Sequence, residues 1–351
     1  MAGSVAAAAA GAAAWALSAI NASAWLQTPL TSSTFNITAE LGPLLSSGAQ
    51  IYLPGSDGFI HGADRWQEWA KPTFGAVIKV STHEDVEQTV RYANVRSKPF
   101  LAISGQHGAT RAIGSFQHGI GIWMNDLDGI DISEDGNTAV IGGGITSGGA
   151  AHRLWANGKQ TVTGCCECTG MVAPMLGGGH GWLQGQYGKA GDNLVSARVV
   201  LANGTSVTAS NDEHADLFWA LRGAGHNFGI LTEFEYKIYD RTPDNEKWAY
   251  ETLIFTQDKL EALFTEANKM IWGGSDKQDI DLTHYVYWLR NPEIDPDNVG
   301  TLIATEVSEL ADTISLSLCS TYSIKATRYR SSTLDRCMQS DPSLPSQQLQ
   351  T

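Results

Sequence analysis

Glycine placed in runs behind short apolar segments constrains this chain more than any other feature. Three consecutive glycines stand at 142–144 and three more at 177–179, and Ser104-Gly105-Gln106-His107-Gly108-Ala109 follows an apolar stretch. A loop without side chains can bring its backbone close to a ligand and can take positive φ, provided that rigid elements hold it. The surrounding text supplies them as alternating strands and helices. Residues 76–80 read as a strand and Thr82 as the N-cap of a helix to about Ala93, with Asp85 completing a capping box. A second strand, 100–104, runs into the first glycine loop, and strands follow at 120–124 and 139–141. A turn over 142–149 leads into a short helix to about Trp155. Strands at 194–201 and 206–209 flank Ala202-Asn203-Gly204, an Asn-Gly hairpin signal. Residues 218–221 read as helix and 229–238 as strand.

Past Arg241-Thr242-Pro243 glycine thins out, helix formers occupy 258–269, and 283–289 alternates like a strand, marking a second domain. The expected division is a leader over 1–24, a lead-in over 25–69, a first domain over 70–241, a partial second domain over 242–330, and a polar disordered tail over 331–351. The leader is alanine-rich and ends in small residues like a secretory signal, although no Lys or Arg precedes Arg65. Export is the expectation, with the cytoplasm as the alternative. In an exported chain Asn36-Ile37-Thr38 and Asn203-Gly204-Thr205 are glycosylation acceptors.

With 351 residues, 42% of them hydrophobic, the chain can bury a sizeable core. A formal charge of −14 leaves no basic field for a phosphate backbone or an anionic leaflet, which argues against nucleic acid as a partner. No stretch beyond the leader approaches the roughly 18–20 apolar residues of a membrane span, so no stable membrane insertion is expected. Five cysteines, an odd number in so long a chain, do not make a disulfide framework.

Several motifs invite chemistry. Residues 138–149 place Gly142 and Gly144 between a strand and a helix, but the third position of the dinucleotide fingerprint is Ser147 and no acidic residue can be assigned to the ribose. The 104–109 loop is a better anion nest, since successive small residues can bind a pyrophosphate through N–H groups without lysine. His107 sits at its centre and, alone, reads as a loop residue. In Gly164-Cys165-Cys166-Glu167-Cys168-Thr169-Gly170 an extended backbone would put Cys166 and Cys168 on one face and Cys165 on the other. The plainer reading is a cluster of buried thiols. Structural zinc needs four ligands and no second cysteine pair offers them, so no metal is assigned. Trp66, Trp69, Trp123, Trp155, Trp182 and Trp219 lie among apolar runs and read as core rather than as a sugar-binding platform.

The blocks occur in a distinctive order. Pro72 precedes Glu84-Asp85-Val86, followed by SGQHGATRAIG at 104–114, GIGIWMNDL at 119–127, GCCECTGMVAPMLGGGHGWLQGQYGKAGDNL at 164–194, VVLANG at 199–204 and LRGAGHNFGILT at 221–232. Over residues 53–240 this order resembles the flavin-binding domain of the vanillyl-alcohol oxidase superfamily, and is most similar to berberine-bridge-type and fungal oligosaccharide or secondary-metabolite oxidases. The resemblance implies an α+β fold, a two-lobed PCMH-type FAD-binding domain followed by a partial α+β substrate domain. It implies FAD as cofactor, covalently attached at two points, with His107 at the position that bonds the flavin 8α-methyl and Cys166 at the position that bonds C6. Cys168 is the rival for the sulfur link. It further implies that Ser104, Gly105, Gln106, Gly108 and Ala109 line the pyrophosphate, that Gly170, Gly178, Gly179 and Gly181 lie along the flavin, and that Ile230 meets the adenine side.

The implied activity is an FAD-dependent oxidase that takes hydride from an alcohol or similar donor and passes the electrons to O2, giving H2O2. Its partners are a small-molecule substrate and O2. Two positions depart from the family pattern, Gln106 and Ala173, where glycine is usual. The family's catalytic base lies in the substrate domain and is not carried over; Tyr285 and Tyr287 share one face of the strand predicted there. The alternative reading is a non-catalytic FAD-binding remnant.

Overall fold

The computed structural model describes residues 36–243, 249–272, 282–290, 297, 302–309 and 327–328. The predicted strand-helix-strand text becomes a four-stranded sheet of β1 (Gln50–Tyr52), β2 (Phe74–Lys79), β3 (Phe100–Ile103) and β4 (Gly119–Trp123), in the order β1-β2-β4-β3. β4 lies parallel between β2 and β3, and β1 closes one edge antiparallel. The helix His83–Val95 joins β2 to β3 and packs along β4. Its capping box forms as the sequence predicts: Thr82 Oγ1 accepts from the Asp85 N–H at 3.2 Å and Asp85 Oδ2 from the Thr82 N–H at 2.9 Å. Asp85 is buried and also accepts from the Ser46 N–H and hydroxyl, which ties the chain ahead of β1 to this helix start.

The second sheet has five strands, β5 (Ile130–Ile132), β6 (Thr138–Gly142), β8 (Leu194–Val200), β9 (Ser206–Ser210) and β10 (Ile230–Lys237), in the order β5-β6-β10-β8-β9; a separate pair joins β7 (Lys159–Gln160) to β11 (Tyr239–Asp240). Every pairing in the five-stranded sheet is antiparallel. That disposes of the dinucleotide motif. Gly142 and Gly144 do lie between a strand and the helix Ser147–Ala156, but no parallel strand-helix-strand unit surrounds them. Their glycines serve packing instead, because a Cβ would run into the backbone carbonyls of Leu127 and Met124. The Asn-Gly turn makes the expected hairpin, Val200 pairing with Ser206 and Gly204 adopting a φ of 80°. Ile141, Leu154, Val199, Phe218, Phe234 and Tyr236 belong to one core around this sheet.

The tryptophans depart from expectation. Trp66, Trp69, Trp155 and Trp219 are exposed, and Trp123 and Trp182 are half-buried. Trp155 and Trp219 each follow the residue that their helix buries, Leu154 and Phe218, and one step along a helix turns about 100° away. Trp66 and Trp69 lie in a loop, where they contact the His107 ring and the Arg111 guanidinium.

A third sheet, β12 (Ala249–Thr256), β13 (Leu282–Leu289), β14 (Leu302–Glu309) and β15 (Thr327–Arg328), runs antiparallel in the order β13-β14-β12-β15. The helix Leu260–Trp272 lays Leu263 against Leu253 and Phe255. Val286 packs on the same cluster, and Tyr287, the next residue, is exposed. The short helix Ile37–Glu40 belongs to a separate unit that ends at Glu40. The expected leader over 1–24 and tail over 331–351 lie outside the described residues. Among the described residues no helix is long and apolar enough to cross a membrane.

Candidate cofactor site

Two loops far apart in sequence lie against each other at the end of β3. Ser104 donates its hydroxyl to the Gly144 carbonyl at 2.8 Å, and the chain then passes so close to 168–170 that a Cβ on Gly105 would overlap the Gly170 nitrogen and the Cys168 carbonyl. A Cβ on Gly170 would in turn meet the Ser104 side chain. The cysteine loop is held from its other side by the helix Ser147–Ala156, whose first N–H groups, on Ser147 and Gly148, donate to Thr169 and Glu167 carbonyls at 2.8 and 2.9 Å. These bonds curl the segment, and the Thr169 N–H closes a turn on the Cys166 carbonyl at 3.2 Å. The cysteines are therefore not on an extended strand. The turn still pairs Cys166 with Cys168, both half-buried with Sγ atoms 3.3 Å apart, and leaves Cys165 exposed.

His107 meets these thiols, its Nε2 lying 3.0 Å from Cys168 Sγ. Three residues of the lead-in hold its loop. Gln106, at a φ of 59°, supplies the left-handed bend that explains why glycine is usual at this position. Its side chain donates to the His61 carbonyl at 2.6 Å, and its own carbonyl accepts from the Trp66 N–H at 3.3 Å. The Trp66 ring stacks on the imidazole at 5.1 Å between centroids and 12° between planes. Arg65, only 6% exposed, donates from Nη2 to the Gly108 carbonyl at 3.1 Å, while its Nε has no hydrogen-bond partner. Burial and the neighbouring Arg65 charge hold His107 below the usual histidine range. A neutral imidazole and two thiols thus converge, with ligand atoms within 4.8 Å of one another, a set one short of a closed tetrahedral zinc site.

Gly178 and Gly179 turn with φ of 96° and 72°, and their carbonyls accept from the Gly191 and Ala190 N–H groups. A Cβ on Gly181 would run into the Thr163 carbonyl, so this loop lies directly against the approach to the cysteines. The buried Tyr236 hydroxyl sits 2.7 Å from the Ala190 carbonyl and 2.9 Å from that of Val162, fixing both loops from β10. Ile230 is buried at the start of β10, paired with Val200. Thus Ser104 to Ala109, Cys166 and Gly170 come together, and Gly181 joins them through Thr163. Gly178 and Gly179 bond instead to the Ala190–Gly191 turn, and Ile230 is placed by its pairing with β8. Sequence reasoning missed Arg65 and the stacking role of Trp66. The only cue was the first basic residue of the chain standing beside an aromatic one.

Residues 74–210 match the family model of the FAD binding domain. The chain is 43% identical over 289 residues to the FAD-linked oxidoreductase chyH of Penicillium rubens, covering 82% of this chain and 56% of that protein. Among solved structures it is similar to BBE-like 1 of Physcomitrella patens, with a TM-score of 0.70 at 22% identity, covering 84% of this chain and 62% of that one. It is also similar to the glucooligosaccharide oxidase of Acremonium strictum, with a TM-score of 0.68 at 20% identity, covering 83% and 59%. The chain spans about half the length of the curated relatives it matches. On these relationships the chain carries the FAD binding domain and is a homologue of the fungal FAD-linked oxidoreductases, with the α+β fold of its structural neighbours in the vanillyl-alcohol oxidase family.

Proposed function

We propose that the chain carries FAD covalently through His107 and Cys166 and serves an oxidase acting on an alcohol or a similar C–H donor. The observation that carries this reading is the convergence of a neutral histidine and a thiol pair, His107 with Cys166 and Cys168, between glycine-walled loops. The residues fit the group. The Ser104 to Ala109 loop offers backbone amides to a pyrophosphate, the Gly105 and Gly170 contact gives a wall without side chains, and the buried Arg65 adds a fixed positive charge. His107 Nε2 is engaged by Cys168, so Nδ1 is the ring nitrogen offered to the flavin. The glucooligosaccharide oxidase named above has a 6-S-cysteinyl, 8α-N1-histidyl FAD, which supports the same two residue types here.

When bound, the flavin supplies a two-electron acceptor for substrate hydride, with O2 as the final oxidant and H2O2 as product. The chain's own part is to hold it: two tethers fix the position of the ring, and Trp66 and Arg65 fix the histidine.

Acid precipitation of the purified protein should give a yellow pellet. Tryptic mapping should find one flavin species joining peptides 97–111 and 160–189. His107→Ala and Cys166→Ser should each leave one link, and the double variant should release the flavin. Colourless protein that cannot be loaded with FAD would overturn the cofactor assignment, and loss of the sulfur link in Cys168→Ser but not in Cys166→Ser would reassign it. Peroxide release over a panel of sugars and alcohols tests the oxidase; its absence from flavin-loaded protein would favour a binding-only role.

A further inference from the structure

Flavin attachment through His107 and Cys166 does not consume the Cys168 sulfur, which is the one placed 3.0 Å from the imidazole. The turn that puts it there also sets its Sγ 3.3 Å from Cys166 Sγ. These are the parts of a peroxide-reactive thiol pair: a thiol against a neutral imidazole that can take its proton, and a resolving thiol in contact with it. Closing a disulfide requires the sulfurs to approach by only about 1.2 Å more. The intervening Glu167 points its carboxylate to His152, at 3.6 Å, and Cys165 is exposed on the outside of the turn.

We infer that Cys166 and Cys168 form a redox-active dithiol that hydrogen peroxide converts to a disulfide, and that the disulfide removes Cys166 from flavin attachment; the second half rests on the covalent-FAD reading above. In the first step Cys168 sulfur bonds to one peroxide oxygen, the O–O bond breaks, and the departing hydroxide takes the thiol proton through His107, leaving a sulfenic acid and water. In the second, Cys166 sulfur attacks the sulfenic sulfur, the S–O bond breaks, and a second water leaves with the Cys166 proton. Two thiols and one peroxide give one disulfide and two waters. The flavin-bearing and disulfide forms of the loop are mutually exclusive, so a peroxide-rich setting before loading yields protein linked through His107 alone.

The test uses the full chain from flavin-limited culture, so that part of it carries no flavin. It is treated with H2O2, alkylated with iodoacetamide and digested, and peptide 160–189 is followed by mass spectrometry. Peptide without flavin should lose two hydrogen atoms and two of its three alkylation sites, with Cys165 still modified and dithiothreitol restoring all three. Cys165→Ser should preserve the effect; Cys166→Ser and Cys168→Ser should each abolish it. Peroxide-treated protein then given FAD should acquire it on peptide 97–111 only, and reductant should restore the cross-link. A disulfide that includes Cys165, full alkylation after peroxide, or stepwise oxygen addition at Cys168 without closure would overturn the dithiol. An untreated peptide 160–189 that never carries flavin would instead overturn the attachment reading, and the same spectrum separates the two failures.

Discussion

Replacing Arg65 by methionine separates what this residue does for stability from what it does for the site. The substitution removes the hydrogen bond from Nη2 to the Gly108 carbonyl, a charge-assisted bond in the class of about 1.5–3 kcal/mol. It also removes a buried Nε–H without a partner, a group whose desolvation costs about 1–3 kcal/mol. The two offset, so the net change in unfolding free energy should stay within about 1 kcal/mol, a shift of no more than about 4 °C in Tm. His107 responds differently. Burial and the Arg65 charge both depress it, so in Arg65→Met only burial remains and its pKa rises while staying below the ordinary histidine value. A depressed folded-state pKa means that the group supports folding above its unfolded value, near 6.5, and that this support is lost as pH falls through the folded value. The variant should therefore lose less stability on mild acidification than the wild type. Histidine NMR titration of flavin-free protein, with His107→Ala to assign the signal, and thermal melts of the same protein at neutral and mildly acidic pH read both effects. Arg65→Lys keeps the charge without the fork and should leave the titration low. An unmoved His107 signal in Arg65→Met, or a Tm loss well beyond about 4 °C, would refute the reasoning.

Three further outcomes are expected. Tyr236→Phe leaves the Ala190 and Val162 carbonyls without their shared donor in a buried setting and should cost about 1–3 kcal/mol, seen as a lower urea midpoint at unchanged slope. Gly105→Ala forces a Cβ into the backbone of Cys168 and Gly170, and should cost about 1–3 kcal/mol together with the retained flavin absorbance of the purified protein. Burial raises the Asp85 carboxyl, but hydrogen bonds from Ser46, Ser81 and Thr82 outweigh it and hold the group below its usual range. Asp85→Asn should therefore cost about 1–2 kcal/mol near neutral pH, and the gap to the wild type should close as pH falls below about 4; a gap constant with pH in melts would contradict this.

What the sequence made legible was local. The Thr82 and Asp85 cap and the Asn203-Gly204 turn each depend on residues within a few positions, and both formed as read. Three-residue strands such as β1 and β5 carry too little periodicity to be seen, and their existence depends on partners elsewhere in the chain. Trp155 and Trp219 were misjudged because composition marks them as apolar while the neighbouring residue on each helix decides which side is buried, and Trp66 and Trp69 because they serve a loop. At the site, the glycine loops and His107 were visible as motifs, but the curl of the cysteine loop comes from N–H groups of a helix some twenty residues upstream. Arg65 lay in text with no pattern at all. Its role exists only because the His61 to Trp66 stretch folds back onto 106–108.

The antiparallel pairing of β6 with β10 has a consequence in time. Glu233 stands opposite Gly142, so the stretch between them, which contains the cysteine loop and the Gly178 turn, is an excursion closed only when β10 is in place. Closing so long a loop is entropically slow. A ribosome releasing this chain would expose the His107 loop well before the strand that fixes its partner loop through Tyr236. On the covalent-FAD reading proposed above, the thiols would then wait without the flavin until the sheet is complete.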